Sequence, residues 1–222
     1  MKVLGIAGSP RRGGNTDLLL DEFMKGAASR GAEVKTIVLN NLKISPCQHC
    51  DACLKAGICR IKDDMQMIYA ELEQADIIVL ASPIHFMGVT AQMKEMFDRC
   101  QALWARKYVL KVPPLGDRRE RKGFFISVGG RRIPNLFEPT LVMIKSFFHI
   151  LDVTYAGDLL FTGIDEKGAI ARHPDALKQA FLAGEKLVAE MLTRKSAGPA
   201  SGAPPKTDQP SVPPFGADSA RP

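Results

Sequence analysis

Apolar residues in this chain come in short runs set between longer stretches of mixed polarity. The first run, "VLGIAG" at 3–8, carries no polar side chain. That is the pattern of a strand buried on both faces. Further runs follow at 33–39 ("EVKTIVL"), 76–82 ("DIIVLAS"), 123–130 ("GFFISVGG") and 152–161 ("DVTYAGDLLF"). Between them lie helix-like segments near 15–30, 63–74, 90–104 and 136–150, with a last one near 174–194. Alternating strands and helices predict an α/β fold, a doubly wound parallel sheet covered on both faces. Ligands of such sheets sit beyond the carboxyl ends of the strands. The loops after the first, third and fourth strands are therefore the places to search.

The pattern stops near Ser196. "SAGPASGAPPKTDQPSVPPFGADSARP" has Phe215 as its only large apolar residue. Such a segment cannot bury enough surface to offset its ordering entropy. The expectation is one domain at 1–195 and a disordered Pro/Ala/Gly/Ser-rich tail at 196–222. The helix-like segment "LFEPTLVMIKSFFHIL" is apolar nearly all round, so it is either deeply buried or part of an interface between copies.

Composition changes this picture in two places. The formal charge is +6, and the segment from Ala105 to Lys122 holds seven basic residues against Asp117 and Glu120. A solvated charged loop is the plain reading, and docking of an acidic electron carrier the functional one. Nucleic acid is not expected, because Tyr108 is the only aromatic residue among those charges and stacking platforms are missing. No apolar run reaches the ~18 residues that a membrane span needs. Met1-Lys2 leads straight into the first strand without a secretory pattern. A cytoplasmic protein with reduced thiols is the resulting expectation, and the odd total of five cysteines agrees with it.

The loop "GSPRRGGNT" at 8–16 joins the first strand to the first helix. It is not a nucleotide P-loop, since Gly13 is followed by Gly14-Asn15 rather than by Lys and a hydroxyl residue. It is not a dinucleotide fingerprint either: Gly5 and Gly8 are too widely spaced, and the second strand ends at Leu39-Asn40 without an acidic residue. What remains is a run of small and hydroxyl residues with two arginines at a helix N-terminus, a cradle for a terminal phosphate. The plainer alternative is that Asn15 or Thr16 caps the helix.

Four of the five cysteines fall within thirteen residues, as C-x2-C-x2-C-x5-C: Cys47, Cys50, Cys53 and Cys59. Overlapping short steps in one loop are more like ferredoxin ligation than like a structural zinc site, which draws pairs from separated places. The remaining Cys100 cannot build a second cluster, so Cys59 closes the same site, with Gly57 permitting the turn. Four soft thiolates satisfy either a 4Fe–4S cluster or zinc, and free redox-active thiols are a third option. His49 is read as a neighbour or a solvent-facing residue rather than a ligand, Asp63 as a helix N-cap, and Cys100 as a buried small hydrophobe.

"GSPRRGGNT" and "ASPIHFMGVTAQMKEMFDR" (81–99) together resemble the phosphate loop and the flavin-ring loop of flavodoxin-like NAD(P)H-dependent FMN reductases, over residues 1 to about 190. The cysteine spacing is similar to that of the iron–sulfur flavoproteins of this superfamily. The resemblance implies a five-stranded flavodoxin-like sheet in order 2-1-3-4-5, with the cysteine loop after the second strand. It implies FMN held at its phosphate by Ser9, Arg11, Asn15 and Thr16. Ser82, Pro83, Ile84, His85, Phe86, Met87 and Gly88 would border the ribityl chain and ring, and Ser127, Gly129 and Gly130 would form a third flavin loop. His85 stands where the family usually has Tyr. The four cysteines would bind a 4Fe–4S cluster, and members assemble as homo-oligomers.

Function follows from the pairing of groups. A flavin accepts two electrons and releases them singly, and a cluster handles one at a time. The expectation is an oxidoreductase passing electrons between FMN and a one-electron partner such as ferredoxin, with NAD(P)H as a possible donor. No side chain is nominated as a catalytic acid or base. Two rivals stand beside it: an NAD(P)H-dependent FMN or quinone reductase whose cysteines hold zinc or nothing, and a non-enzymatic electron carrier.

Overall fold

The computed structural model describes residues 1–196, with side chains as far as 194. The expected tail lies, save for its first residue, outside the described residues. Five strands form one all-parallel sheet: β1 (Lys2–Ala7), β2 (Glu33–Val38), β3 (Ile77–Ala81), β4 (Lys122–Gly129) and β5 (Thr154–Thr162). Their order is β2-β1-β3-β4-β5, which is the flavodoxin-like arrangement expected. In register, Val3 of β1 faces Val34 on one side and Ile77 on the other.

Period-two alternation divides the core. Leu4, Ile6, Ile78, Leu80 and Phe125 point to one face and pack with helices α3 (Met65–Gln74), α4 (Ala91–Arg99) and α6 (Glu138–Ile150). Val3, Ala7, Ile77, Val79, Phe124 and Ile126 point to the other, under α1 (Asn15–Ser29) and α7 (Ala176–Ser196). The central strands β1 and β3 are covered on both sides, which is why their sequences read as continuous apolar runs. Helices α1 and α7 cross in near contact of backbones. A Cβ on Gly26 would sit 1.9 Å from the Phe181 carbonyl oxygen, and one on Gly184 would sit 2.0 Å from that of Phe23. Only glycine fits at either position.

Three expectations need amendment. The helix near 90–104 is two helices, α4 and α5 (Gln101–Tyr108), divided where Cys100 takes ψ 4°. The cysteine loop contains a one-turn helix, α2 (Cys53–Ala56), that its sequence did not announce. The basic segment is not a free patch. Arg106 pairs with Glu73, Lys107 with Asp152, Arg119 and Arg121 with Asp117, and Lys122 with Glu120. Two of these partners, Glu73 and Asp152, lie outside the segment and offset part of the charge that a local count leaves standing. Helix α6 buries Ile144, Phe147 and Phe148 and turns Val142 outward at 64% exposure, so it combines a core face with an apolar outer position.

Candidate functional site

Two features are built on loops that leave the carboxyl ends of strands. The first is a cleft enclosing about 650 Å³, open to solvent, between the loops that follow β1, β3, β4 and β5. Loop residues 8–14 are held by their own backbone. Gly8 donates to the Ala81 carbonyl (2.8 Å) and Gly14 to that of Arg11 (3.1 Å). The Ser9 hydroxyl accepts from the Arg11 N–H at 3.1 Å, and Thr90 Oγ1 donates to the Gly8 carbonyl at 2.6 Å. No side chain caps α1 at Gly14, so its first N–H groups stay available to an anion.

Thr16 is the informative residue. It is buried on the cleft wall, and its Oγ1 has no hydrogen-bond partner. Buried hydroxyls are rarely left so. Arg11 and Lys167 bring positive charge to the same wall, opposed by Asp165. An orphan hydroxyl, an uncapped helix and two cations fit a phosphate. Asn15 does not cap the helix. Its amide donates to the Glu166 carbonyl (3.0 Å) and its Oδ1 accepts from the Ile170 N–H (3.1 Å), so it ties the loop after β5 to the cradle.

The other expected flavin contacts divide. Pro83, Ile84, His85 and Gly130 line the cleft with Val128. Ser82 and Ser127 are fully buried, with hydroxyls bonded to the Pro83 and Ser82 carbonyls, so they brace the loop from behind. Gly129 packs beneath Leu136. His85 and Gly88 exchange both backbone hydrogen bonds at 2.9 Å, closing a two-residue turn with Phe86 (φ 47°) and Met87 (φ 61°) in left-handed conformation. Both stand beside the cleft rather than on its wall, and Phe86 is fully exposed. Pro10, Gly14, Ile164, Asp165 and Lys167 line the cleft as well. The last three come from the loop after β5, which carries no motif, so sequence gave no signal for them.

The second feature is a hollow of about 400 Å³ lined by Cys47, Cys50, Cys53 and Cys59, with Arg99, Gln101 and Ala102 from the α4–α5 junction. Cys47 and Cys50 are exposed and Cys53 and Cys59 half-buried, whereas Cys100 is buried away from the hollow. The thiols feel one another: burial and then the neighbouring thiolates push Cys53 above the ordinary thiol value. Among the described residues, no three His, Cys, Asp or Glu converge as a single-ion site does. The backbone is strained around Cys50, with His49 at φ 47° and Asp51 at φ 56°. Asp51 is followed by Ala52 in right-handed conformation, the alternation that turns N–H groups toward an anion. His49 is 87% exposed and leans on Asp51 at 3.7 Å.

Behind the hollow the loop is anchored. Arg99 donates to Asp63 Oδ2 (2.6 Å) and Oδ1 (3.1 Å), and to the carbonyls of Ser45 (2.8 Å) and Ile61 (3.2 Å). Asp63 also accepts from the N–H groups of Ser45 (2.9 Å) and Met65 (3.1 Å). Its bond from the Met65 N–H, where the helix begins, is the cap-like contact expected, and the same carboxylate anchors the arginine. Burial alone would raise its pKa, and Arg99 with the two N–H groups holds it below the carboxylate range. Gly57 ends α2 at φ 66° and gives its carbonyl to Arg106 Nε at 3.0 Å. Sequence reading passed over Arg99, although it falls one helical turn from the buried Met96, on the apolar face.

The comparisons follow this geometry. The chain matches the family of NADPH-dependent FMN reductases over residues 1–153. It is 47% identical over 131 residues to an iron–sulfur flavoprotein of Archaeoglobus fulgidus, covering 59% of this chain and 63% of that protein. It is 35% identical over 158 residues to the iron–sulfur flavoprotein of Methanosarcina thermophila, covering 71% and 78%. The chain thus spans less than two thirds of the first relative. Among solved structures, an NAD(P)H:quinone oxidoreductase from Methanothermobacter marburgensis superposes with TM-score 0.66 at 17% identity, over 84% of this chain and 96% of that one. A flavone reductase superposes with TM-score 0.65 at 22% identity, over 89% and 65%. At such identities the structures speak for the fold alone.

Proposed function

The chain belongs to the NADPH-dependent FMN reductase family and is an oxidoreductase, and from that premise we propose that it holds FMN in the cleft and one 4Fe–4S cluster on Cys47, Cys50, Cys53 and Cys59. Electrons would pass between the flavin and a one-electron partner such as a ferredoxin, in a reducing cytoplasm that keeps the thiols free.

The observation that carries the flavin assignment is Thr16 Oγ1, buried and unpartnered beside the open N-terminus of α1. A phosphate there would satisfy it, with Arg11 and Lys167 supplying charge. Pro83, Ile84 and Val128 bring apolar side chains to the cleft beside His85, a wall for a ring, and the buried Ser82–Ser127 pair fixes that wall from behind. For the cluster, the support is the donor set, four thiols around one hollow, together with relatives named iron–sulfur flavoproteins. The strained N–H-presenting backbone at Asp51 and Ala52 suits an anionic cage. When bound, the two groups interconvert two-electron and one-electron chemistry, and the protein orients them and sets their potentials.

Assembly into a dimer or tetramer is part of the proposal, with the outward Val142 of α6 as its local support. The test is anaerobic purification followed by counts of flavin, iron, acid-labile sulfide and zinc per chain. One FMN with four irons and four sulfides is expected. One zinc without sulfide would replace this reading with an NAD(P)H-dependent FMN or quinone reductase. Flavin bound without any NAD(P)H turnover would favour a plain electron carrier.

A further inference from the structure

The cysteine hollow has a wall that is not made of cysteine. Arg99 closes its inner side, with the side chain 0% exposed. A guanidinium has five N–H donors and stays charged at any physiological pH. Here Nη1 and Nη2 are committed to Asp63 and to the carbonyls of Ser45 and Ile61. The Nε–H is buried and has no partner. Ser45 and Ile61 each lie two residues outside the cysteine run, so the arginine grips both ends of the loop that carries the thiols. Asp63, the compensating anion, does not line the hollow. The pair therefore presents its positive member to the thiols and its negative member to the rear. The other polar pair at the site, His49 with Asp51, sits out in solvent, where water and salt screen it.

We propose that Arg99 sets how readily the group held by Cys47, Cys50, Cys53 and Cys59 accepts an electron, acting as a fixed positive charge on its inner side. An added electron makes an anionic cage more negative. A buried cation facing the cage stabilises the reduced form more than the oxidised one and raises the potential. Charge and hydrogen bonding around the thiolates are the protein's levers on such a group. Arg99 is a positioning residue: it grips the ligand loop and aims a charge, and takes no part in bond making. This inference rests on the cluster reading above.

The test measures the midpoint potential of the full-length, cluster-loaded chain, titrated anaerobically with dithionite. Arg99→Gln is expected to shift the oxidised-to-reduced ratio at least tenfold toward the oxidised form, or 59 mV downward for one electron. Arg99→Lys keeps the charge and is expected to stay within about threefold of the parent on the same scale. Asp63→Asn removes the opposing anion and is expected to move the potential upward. A loop merely loosened would shift the Gln and Asn variants in the same direction, and that result overturns the proposal. So does an unchanged potential in Arg99→Gln with iron content intact. Should Arg99→Gln lose its iron, Asp63→Asn decides alone, a fixed or lowered potential overturning the proposal. Should the parent carry zinc and no sulfide, the cluster reading fails. Zinc accepts no electron, so that count overturns this inference as well, while a normal iron and sulfide count with an unmoved potential overturns it alone.

Discussion

The cleft and the hollow are built in opposite ways. The cleft is shaped by backbone that is already satisfied: Gly8, Gly14 and Thr90 bond among the loops, and the left-handed position of its first loop falls on Gly13 at φ 63°. One buried hydroxyl, on Thr16, is left over. The hollow is finished only at its back, where Arg99 and Arg106 clasp the loop. At its front, His49 and Asp51 hold strained conformations at about 1–2 kcal/mol each, and Cys47 and Cys50 face solvent. A cradle of N–H groups can be completed by folding alone, whereas the proposed set of four thiol ligands would be completed only by the group it holds.

The sharpest way to break this comparison is to remove thiols. Alanine at Cys47, Cys50, Cys53 or Cys59 is expected to abolish the bound cluster, read as iron and sulfide per chain, with FMN content unchanged. Cys100→Ala is expected to keep both. Loss of flavin in the cysteine variants would show that the two sites are not independently built.

A smaller effect, on the other side, comes from the crossing of α1 and α7. Gly26→Ala or Gly184→Ala places a methyl against backbone, at about 1–3 kcal/mol or more for overpacking. The melting temperature is expected to fall by roughly 2–12 °C, at 2–4 °C per kcal/mol for a chain of this size. Because α1 carries the cradle, FMN affinity is expected to fall with it.

Thr16→Val separates binding from stability. A lost hydrogen bond to a charged group costs about 1.5–3 kcal/mol, so FMN affinity is expected to drop at least tenfold by fluorescence titration. The flavin-free protein is expected to melt no lower, since the variant deletes a buried hydroxyl that had no partner. A matching fall in stability would mean that Thr16 serves the fold and not the ligand.

Acid is the mildest probe. A carboxyl held below its ordinary value contributes stability above about pH 4, and that stability is lost as pH falls through the folded value. Asp63 is such a group. Between pH 5 and pH 2 the parent is expected to lose stability more steeply than Asp63→Asn, followed by denaturant unfolding.

The ease of reading differed along the same divide. The strand runs declared the sheet because β1 and β3 are buried on both faces, and Gly-Ser-Pro-Arg-Arg-Gly-Gly-Asn-Thr declared the cradle because helix N-termini and small residues sit together in sequence. Lys167 and Asp165 were invisible: they reach the cleft from a loop over 150 residues beyond Arg11, brought there by the Asn15 bridge. Asn15 itself was read as a phosphate contact or a cap, since one amide's partners cannot be known before the fold is. The role of Asp63 was underread for the same reason, its partner being 36 residues away. The charge of 105–122 looked free until Glu73 and Asp152 came beside it.

The turn at Phe86 and Met87 has a consequence for the protein's history. Two-residue turns with both central residues left-handed favour Asn-Gly, and Phe86 makes up nothing through packing because it lies fully in solvent. A library selected only for thermal resistance should therefore discard this pair early, while one selected for turnover should keep it. On the flavin placement proposed above, the turn would mark a position where durability and use pull in different directions, and the residues that survive each selection would measure how far apart they are.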